Sequence, residues 1–266
     1  MSLPTPTPSN RAVVTGASSG IGAALAEGLA QRGYSLILVA RREDRLRELA
    51  DRLAARHGVD AEVRAVDLAD LAERAKLCDE LAGRDIAVLC NNAGFATYGD
   101  LAAADPARER SQVEVNTVAV HDLTLAVLPG MVARDAGAIL ITGSTAGNQP
   151  GPGNATYAAS KAFANTLAES LHGELAGTGV QCTLLAPGPV RTEYAEVAEV
   201  PELDRLVPGP LWVSAEHAAA QAIAGMAAGR RRVVPGLFAK AQTVGGQYTP
   251  RALVGPLLRA VYRKVT

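Results

Sequence analysis

The stretch TYAASKAF, residues 156–163, sets a phenol and an ammonium, Tyr157 and Lys161, four positions apart in a run of small side chains. Residues at that spacing share a face if the stretch is helical. A phenol ordinarily loses its proton near pH ~10 and is seldom ionised at neutrality. An ammonium held ~4 Å away favours the phenolate by about 4 kcal/mol at an effective dielectric of 20. That is enough to bring a tyrosine toward neutral pH. A pair spaced in this way is a general acid or base with a built-in means of tuning it.

A second chemistry lies near the N-terminus. TGASSGIG, residues 15–22, follows an apolar run and opens a helical pattern, with glycines at Gly16, Gly20 and Gly22. The spacing is G-x-x-x-G-x-G rather than the common dinucleotide fingerprint, but the physical demand is similar. The chain must turn sharply, the backbone must approach a pyrophosphate, and a helix must offer free N–H groups and the positive end of its dipole. Ser18 and Ser19 add hydroxyls beside it.

The next apolar run ends LVARRED. An acid at this point would bond the ribose hydroxyls of NAD, whereas arginine would accept the extra phosphate of NADP. Arg41 and Arg42 stand there, and Glu43 and Asp44 fall in the first turn of the following helix, where carboxylates suit the dipole. The alternative is two solvated surface charges. Arginine matches phosphate in geometry as well as charge, so NADP(H) is the expected cofactor.

These groups need a frame. RAVVTG, YSLILVA, AEVRAVD, IAVLCNN, GAILITG and VQCTLLAPG read as strands, and their continuous apolar character fits strands covered on both faces. Helical periodicity separates them, at residues 21–32, 43–57 and 70–82 among others. Alternating strands and helices imply right-handed crossovers and a parallel sheet. The expected fold is therefore α/β, a single-domain, Rossmann-type doubly wound parallel sheet with helices on both faces, over residues 11–266. MSLPTPTPSN, residues 1–10, reads as a disordered tail, and residues 193–214, interrupted by Pro201, Pro208, Gly209 and Pro210, as a cover over a substrate site.

Three more stretches fall at strand ends: NNAG (91–94), ITGSTAG (141–147), which puts Ser144 thirteen residues before Tyr157, and PGPVRT (187–192). With TGASSGIG and Tyr157-x-x-x-Lys161 they resemble the short-chain dehydrogenase/reductase family, in order and over roughly residues 10–192. LVARREDRL, NNAGFATYG and VVPGLFAK are similar to its branch that reduces ketones or oxidises secondary alcohols with NADP(H). The resemblance implies Tyr157 as acid in reduction and base in oxidation, with Lys161 also on the nicotinamide ribose. It implies Ser144 as donor to the substrate oxygen. Asn116, in VEVNTVAV, matches a residue that holds a water linking the lysine to solvent, its other reading being a hydrogen bonder that interrupts a helix. Ile21, Ala93, Gly94, Pro187, Gly188 and Val190 belong to the motifs that line the cofactor, and Thr192 would touch its carboxamide. Asp67 either contacts adenine or caps a helix. Asn91 either steadies the strand ends or reaches the adenine ribose. One departure is visible: Gly143 stands where the family often has a second serine.

Other classes fare worse. A formal net charge of -1 gives no footprint for nucleic acid. Cys78, Cys90 and Cys182 are sparse and odd in number, which suits a reducing, cytoplasmic setting, and the four histidines show no metal-ligand spacing. No signal-peptide core or bilayer-length apolar run is evident, so no transmembrane segment is expected. A catalytically silent cofactor sensor would not need Ser144, Tyr157 and Lys161 together, while an isomerase or dehydratase remains a rival. The pocket candidates Phe95, Asn148, Gln149, Pro150, Tyr194 and Trp212, with Leu203, Leu206, Val207 and Leu211 nearby, point to an apolar carbonyl substrate of moderate size, the alternative being that they pack under a loop. Small residues in the 105–134 and 155–177 helices favour a homodimer or homotetramer. Residues 250–266 form a basic amphipathic stretch that either packs in the assembly or lies on an anionic membrane, with packing preferred for so short a helix.

Overall fold

The computed structural model describes residues 3–192 and 209–248. Six parallel strands form where the apolar runs predict them: β1 (Arg11–Thr15), β2 (Ser35–Ala40), β3 (Ala61–Ala65), β4 (Ile86–Asn91), β5 (Gly137–Thr142) and β6 (Val180–Leu185). Two short strands, β7 (Val190–Arg191) and β8 (Val213–Ser214), pair with each other, and β9 (Arg232–Val233) adds a seventh strand beside β6. The main sheet runs β3-β2-β1-β4-β5-β6-β9, so the strand order reverses between β1 and β4. In open α/β sheets the crevice at such a reversal, beyond the carboxyl ends of the strands, is where ligands bind.

Every residue of β4, β5 and β6 is buried, as sheets covered on both faces require. The register lays rows of side chains across the strands: Ile37, Val13, Leu89, Ile139 and Cys182 lie side by side on one face. That face packs under α3 (Leu71–Ala82), α5 (Ala119–Ala133) and α6 (Ala155–Glu174), through Leu77, Leu123 and Leu171 among others. The opposite row, with Leu38, Val14, Cys90 and Leu140, packs under α1 (Gly20–Ala30), α2 (Glu43–His57) and α7 (Ala215–Ala227). β3, at the edge, carries charge instead: Glu62 and Arg64 join Arg11, Glu80 and Arg84 in a half-buried ionic network. Charges on an edge strand discourage pairing with another chain.

α4 (Pro106–Val113) runs into α5 through a π-helical turn, Glu114–Val118. By length and composition alone the run Pro106–Ala133 is apolar enough to cross a membrane. Its inner face is a core face, with Val120, Leu123, Val127 and Met131 buried against the sheet side. α8 (Leu237–Tyr248) follows β9 and returns to the carboxyl end of the sheet.

The N-terminal segment differs from the expected disordered tail. Leu3 packs on the core, Tyr34 Oη donates to the Pro4 carbonyl, and Asn10 is buried with its amide bonded to Thr5 O and Thr7 N. The prolines stiffen a strap whose polar groups mostly bond to one another, with Tyr34 tying it to the body of the protein. Most of the expected cover (193–208) and the C-terminal amphipathic stretch (250–266) lie outside the described residues.

A candidate dinucleotide and carbonyl site

The carboxyl ends of β1, β2, β4, β5 and β6 open into one cleft of ≈ 760 Å³. Volumes of this order suit cofactor and small-molecule sites. Its two ends differ in chemistry.

At one end, Gly16 and Gly20 adopt φ values of 67° and 54°, in the left-handed region that favours glycine. α1 starts without a side-chain cap, leaving its first N–H groups directed at the cleft. The Ser19 hydroxyl turns instead toward the end of β2. Arg42 Nη2 donates to Ser19 Oγ at 2.9 Å and to Ser18 Oγ at 3.0 Å, with Nε reaching Ser18 Oγ at 3.2 Å. The guanidinium at the end of β2 is thereby tied to the glycine-rich loop. Arg41, Ala40, Val66, Asp67 and Leu68 complete this end. Asp67 is not a helix cap: its Oδ1 accepts from Ala69 N–H at 3.0 Å, and Asp70 caps α3 instead.

Two expected cofactor residues are placed differently. Gly22 does not line the cleft; a Cβ there would stand 2.1 Å from the Gly16 carbonyl oxygen. Its role is to let α1 press against the loop. Asn91 also points away from the cleft, with Nδ2 donating to Thr124 Oγ1 at 2.9 Å and Val120 O at 3.3 Å, so it ties β4 to α5, as the strand-steadying alternative expects, and does not reach the cofactor site. The neighbouring Asn92 faces the cleft and donates to Thr15 O at 3.1 Å. The alternation of side chains along an extended chain sends adjacent asparagines to opposite sides, and NNAG alone does not say which faces inward.

At the other end stand Ser144, Tyr157 and Lys161, all on the cleft. Tyr157 and Lys161 lie on α6, and Lys161 Nζ is 5.8 Å from the centroid of the Tyr157 ring. Lys161 is buried and donates to Thr142 O at 2.9 Å. Burial pulls its pKa from 10.5 down to about 8, so it still carries its proton at neutral pH. That charge favours the ionised phenol. Ser144, at the end of β5, caps a 3₁₀ turn (Thr145–Asn148), its Oγ accepting from Ala146 N–H at 3.1 Å.

Asn116 sits in the π-helical turn, buried, with Oδ1 accepting from Phe95 N at 3.2 Å and Nδ2 donating to Phe95 O at 2.9 Å and Ser160 Oγ at 3.0 Å. A π-turn is a frequent device at functional sites, and here it turns a side chain inward. Gly94 makes room: a Cβ there would meet Asn116 Oδ1 at 3.0 Å and Lys161 Nζ at 3.2 Å. These bonds match the reading of Asn116 as a hydrogen bonder within the helix, and Gly94 lies against both its amide and Lys161.

Ala93, Pro187, Gly188, Val190 and Thr192 line the middle of the cleft, and Thr192 closes on Gly20. Phe95, Gln149, Pro150 and Trp212 line the far wall, joined by Tyr98 and Val115. Arg191 stacks over the Trp212 ring at 5.9 Å. Asn148 does not reach the cleft, and Tyr194 lies outside the described residues.

A glycine-lined crevice at the strand reversal, with Ser, Tyr and Lys beside it, defines a nicotinamide-dependent oxidoreductase. The chain belongs to the short chain dehydrogenase family, whose sequence model matches residues 10–201. It is 41% identical over 189 residues to sulfoacetaldehyde reductase 2 of Chromohalobacter salexigens, covering 70% of this chain and 74% of that one. It is 34% identical over 205 residues to the very-long-chain 3-oxoacyl-CoA reductase of Anas platyrhynchos, covering 74% of this chain and 64%, less than two thirds, of that protein. A short-chain dehydrogenase from Sphingobium yanoikuyae in complex with NADPH superposes with a TM-score of 0.82 at 32% identity, over 93% of this chain and 94% of that one.

Proposed function

We propose that the protein is an NADP(H)-dependent carbonyl reductase, or alcohol dehydrogenase in reverse, acting on an apolar carbonyl compound of moderate size. The observation that carries this reading is the joint placement of Ser144, Tyr157 and Lys161 on one wall of the glycine-lined cleft. The residues fit a dinucleotide: α1 presents uncapped N–H groups to a pyrophosphate, and Gly16, Gly20, Ala93, Gly94 and Gly188 keep the walls low. Arg41 and Arg42 at the end of β2 suit the additional phosphate of NADP(H), and the likeness to an NADPH complex supports the same choice. The nicotinamide, when bound, supplies or accepts the hydride.

The chain's own groups handle the oxygen. Ser144 Oγ–H donates a hydrogen bond to the substrate oxygen and holds the carbonyl in line. Tyr157 Oη gives its proton to that oxygen in reduction and takes it back in oxidation. Lys161, protonated and buried, makes the phenolate easier to form and binds ribose hydroxyls. The rest of the substrate lies against Phe95, Tyr98, Val115, Pro150 and Trp212.

The likeness to a sulfoacetaldehyde reductase raises a second reading, a small anionic aldehyde. Among the described residues, the cations on the cleft are Arg41 and Arg42 at the phosphate end and Lys161 beneath the tyrosine. On the Phe95–Trp212 side the lining itself is uncharged, with Arg191 behind it over the Trp212 ring at 5.9 Å, and this lining supports the apolar substrate. Assembly as a homo-oligomer through the α4–α5 and α6 faces, where Leu125, Val132 and Phe163 are exposed, belongs to the same reading. Light scattering on dilution tests it, a monomer at micromolar concentration counting against it. The substrate assignment is tested by NADPH consumption over a panel of hydrophobic ketones, polar sugars and sulfonated aldehydes. Preference for the sulfonate or equal rates with sugars counts against the apolar pocket.

A further inference from the structure

Four residues beyond Lys161, α6 carries Asn165, which is 4% exposed and does not line the cleft. Its Oδ1 accepts from the Ser144 N–H at 3.2 Å and its Nδ2 donates to the Ser144 carbonyl at 2.9 Å. These two bonds fix the amide's orientation, because only the oxygen can accept from an N–H and only the nitrogen can donate to a carbonyl. The Nδ2 also reaches Asn148 Oδ1 at 3.4 Å, at the far end of the 3₁₀ turn that Ser144 caps. One buried side chain thus grips the backbone of Ser144 from both sides and touches the turn that follows.

A second observation concerns Gly143. A Cβ at this position would stand 1.9 Å from Asn165 Oδ1 and 2.8 Å from Leu184 Cδ1. Gly143 does not have a positive φ, so the backbone does not demand glycine there; the space does. This is the position where the family often carries a second serine, and the Asn165 amide fills the place that serine would need.

The geometry points to Asn165 as a positioning residue that sets where Ser144 Oγ stands relative to Tyr157 and Lys161, with Gly143 as the vacancy it requires. The inference rests on the carbonyl-reduction reading above. Tyr157, Lys161 and Asn165 follow one another at intervals of four, within about a quarter turn of the helix. A single face of α6 therefore carries two of the reacting groups and the clasp that holds the third. The hydroxyl of Ser144 is tethered only to backbone, accepting from Ala146 N–H at 3.1 Å and donating to Pro187 O at 3.5 Å. Its place is inherited from the backbone that Asn165 holds, and a displacement of ~1 Å at such a group costs about a hundredfold in rate.

The test is a double-mutant cycle on the full chain with NADPH: Asn165→Ala, Gly143→Ser, and both together. kcat and KM are measured with a carbonyl substrate that the wild type reduces, alongside the NADPH Kd and the melting temperature. Asn165→Ala should lower kcat by roughly ten- to a hundredfold with KM and NADPH Kd changed by less than about threefold, since only the transition-state alignment suffers. Gly143→Ser should lose a similar factor. The double variant should be no slower than Asn165→Ala alone, because the new side chain enters the space the amide leaves and its clash disappears with the amide. Asn165→Ala with wild-type kcat, or losses that simply multiply, would overturn the inference. If the wild type reduces no carbonyl, the functional reading fails, and the four melting temperatures decide the clasp: non-additive losses uphold it and additive ones refute it.

Discussion

Lys161 Nζ donates to the Thr142 carbonyl at the end of β5 and lies 5.8 Å from the centre of the Tyr157 ring, so a buried cation couples the strand end to the phenol. Holding a charge there costs folding stability. Its pKa is depressed from 10.5 to about 8, so the unfolded chain binds the proton more readily between those values. The penalty is fully present below the folded value and is relieved as pH rises to the unfolded one.

Lys161→Met should therefore inactivate the enzyme while raising the melting temperature of the cofactor-free protein at pH 7. The relieved desolvation is about 3 kcal/mol, offset by about 1 kcal/mol for leaving the Thr142 carbonyl unpaired. The decisive sign is in the pH dependence. Wild type should gain on the variant between about pH 8 and 10.5, measured by thermal melts. A constant difference across that range would contradict the account of Lys161.

Arg42→Ser should weaken NADPH far more than NADH. Arg42 is braced by Ser18 and Ser19, so its guanidinium is already oriented before a ligand arrives. The loss of a charge-assisted contact to phosphate corresponds to about 1.5–3 kcal/mol, or roughly 10- to 150-fold in Kd. Titration of both cofactors by fluorescence measures it. Equal losses would place the phosphate elsewhere, with Arg41 the next candidate.

Glu62 is held by Arg84 above all, then by Arg11 and Arg64, and its pKa falls from 4.5 to about 2. A depressed carboxylate contributes stability above its unfolded pKa that is lost as pH falls through the folded one. Wild type should thus lose melting temperature steeply from pH 4.5 toward 2, and Glu62→Gln should start lower and decline less over the same window. Parallel curves would show that the edge network contributes little.

The central strands were legible because they are buried on both faces: runs such as residues 86–90 and 138–141 are apolar without interruption. β9 was not, since two residues, Arg232 and Val233, carry no periodicity. The reacting groups were legible because Tyr157 and Lys161 are local to one helix. What escaped is what depends on contacts distant in sequence. Asn91 and Asn92 are told apart only by their partners on α5 and β1. The N-terminal strap is held by Tyr34, thirty residues on. Asn165 gains meaning only from Ser144, 21 residues earlier, and Gly143 only from Asn165. Gly22 belongs to the legible loop motif, yet its purpose is steric contact with Gly16 rather than with a ligand.

The central claim is that Tyr157 passes the proton in a carbonyl reduction. The most direct test compares wild type with Tyr157→Phe in NADPH consumption with a hydrophobic ketone, with NADPH binding measured on both. The ring and its packing are kept and only the hydroxyl is removed. The account predicts steady turnover by the wild type, NADPH binding within about threefold in the variant, and a kcat lower by about 10²–10⁴-fold. Turnover by Tyr157→Phe at the wild-type rate would contradict it.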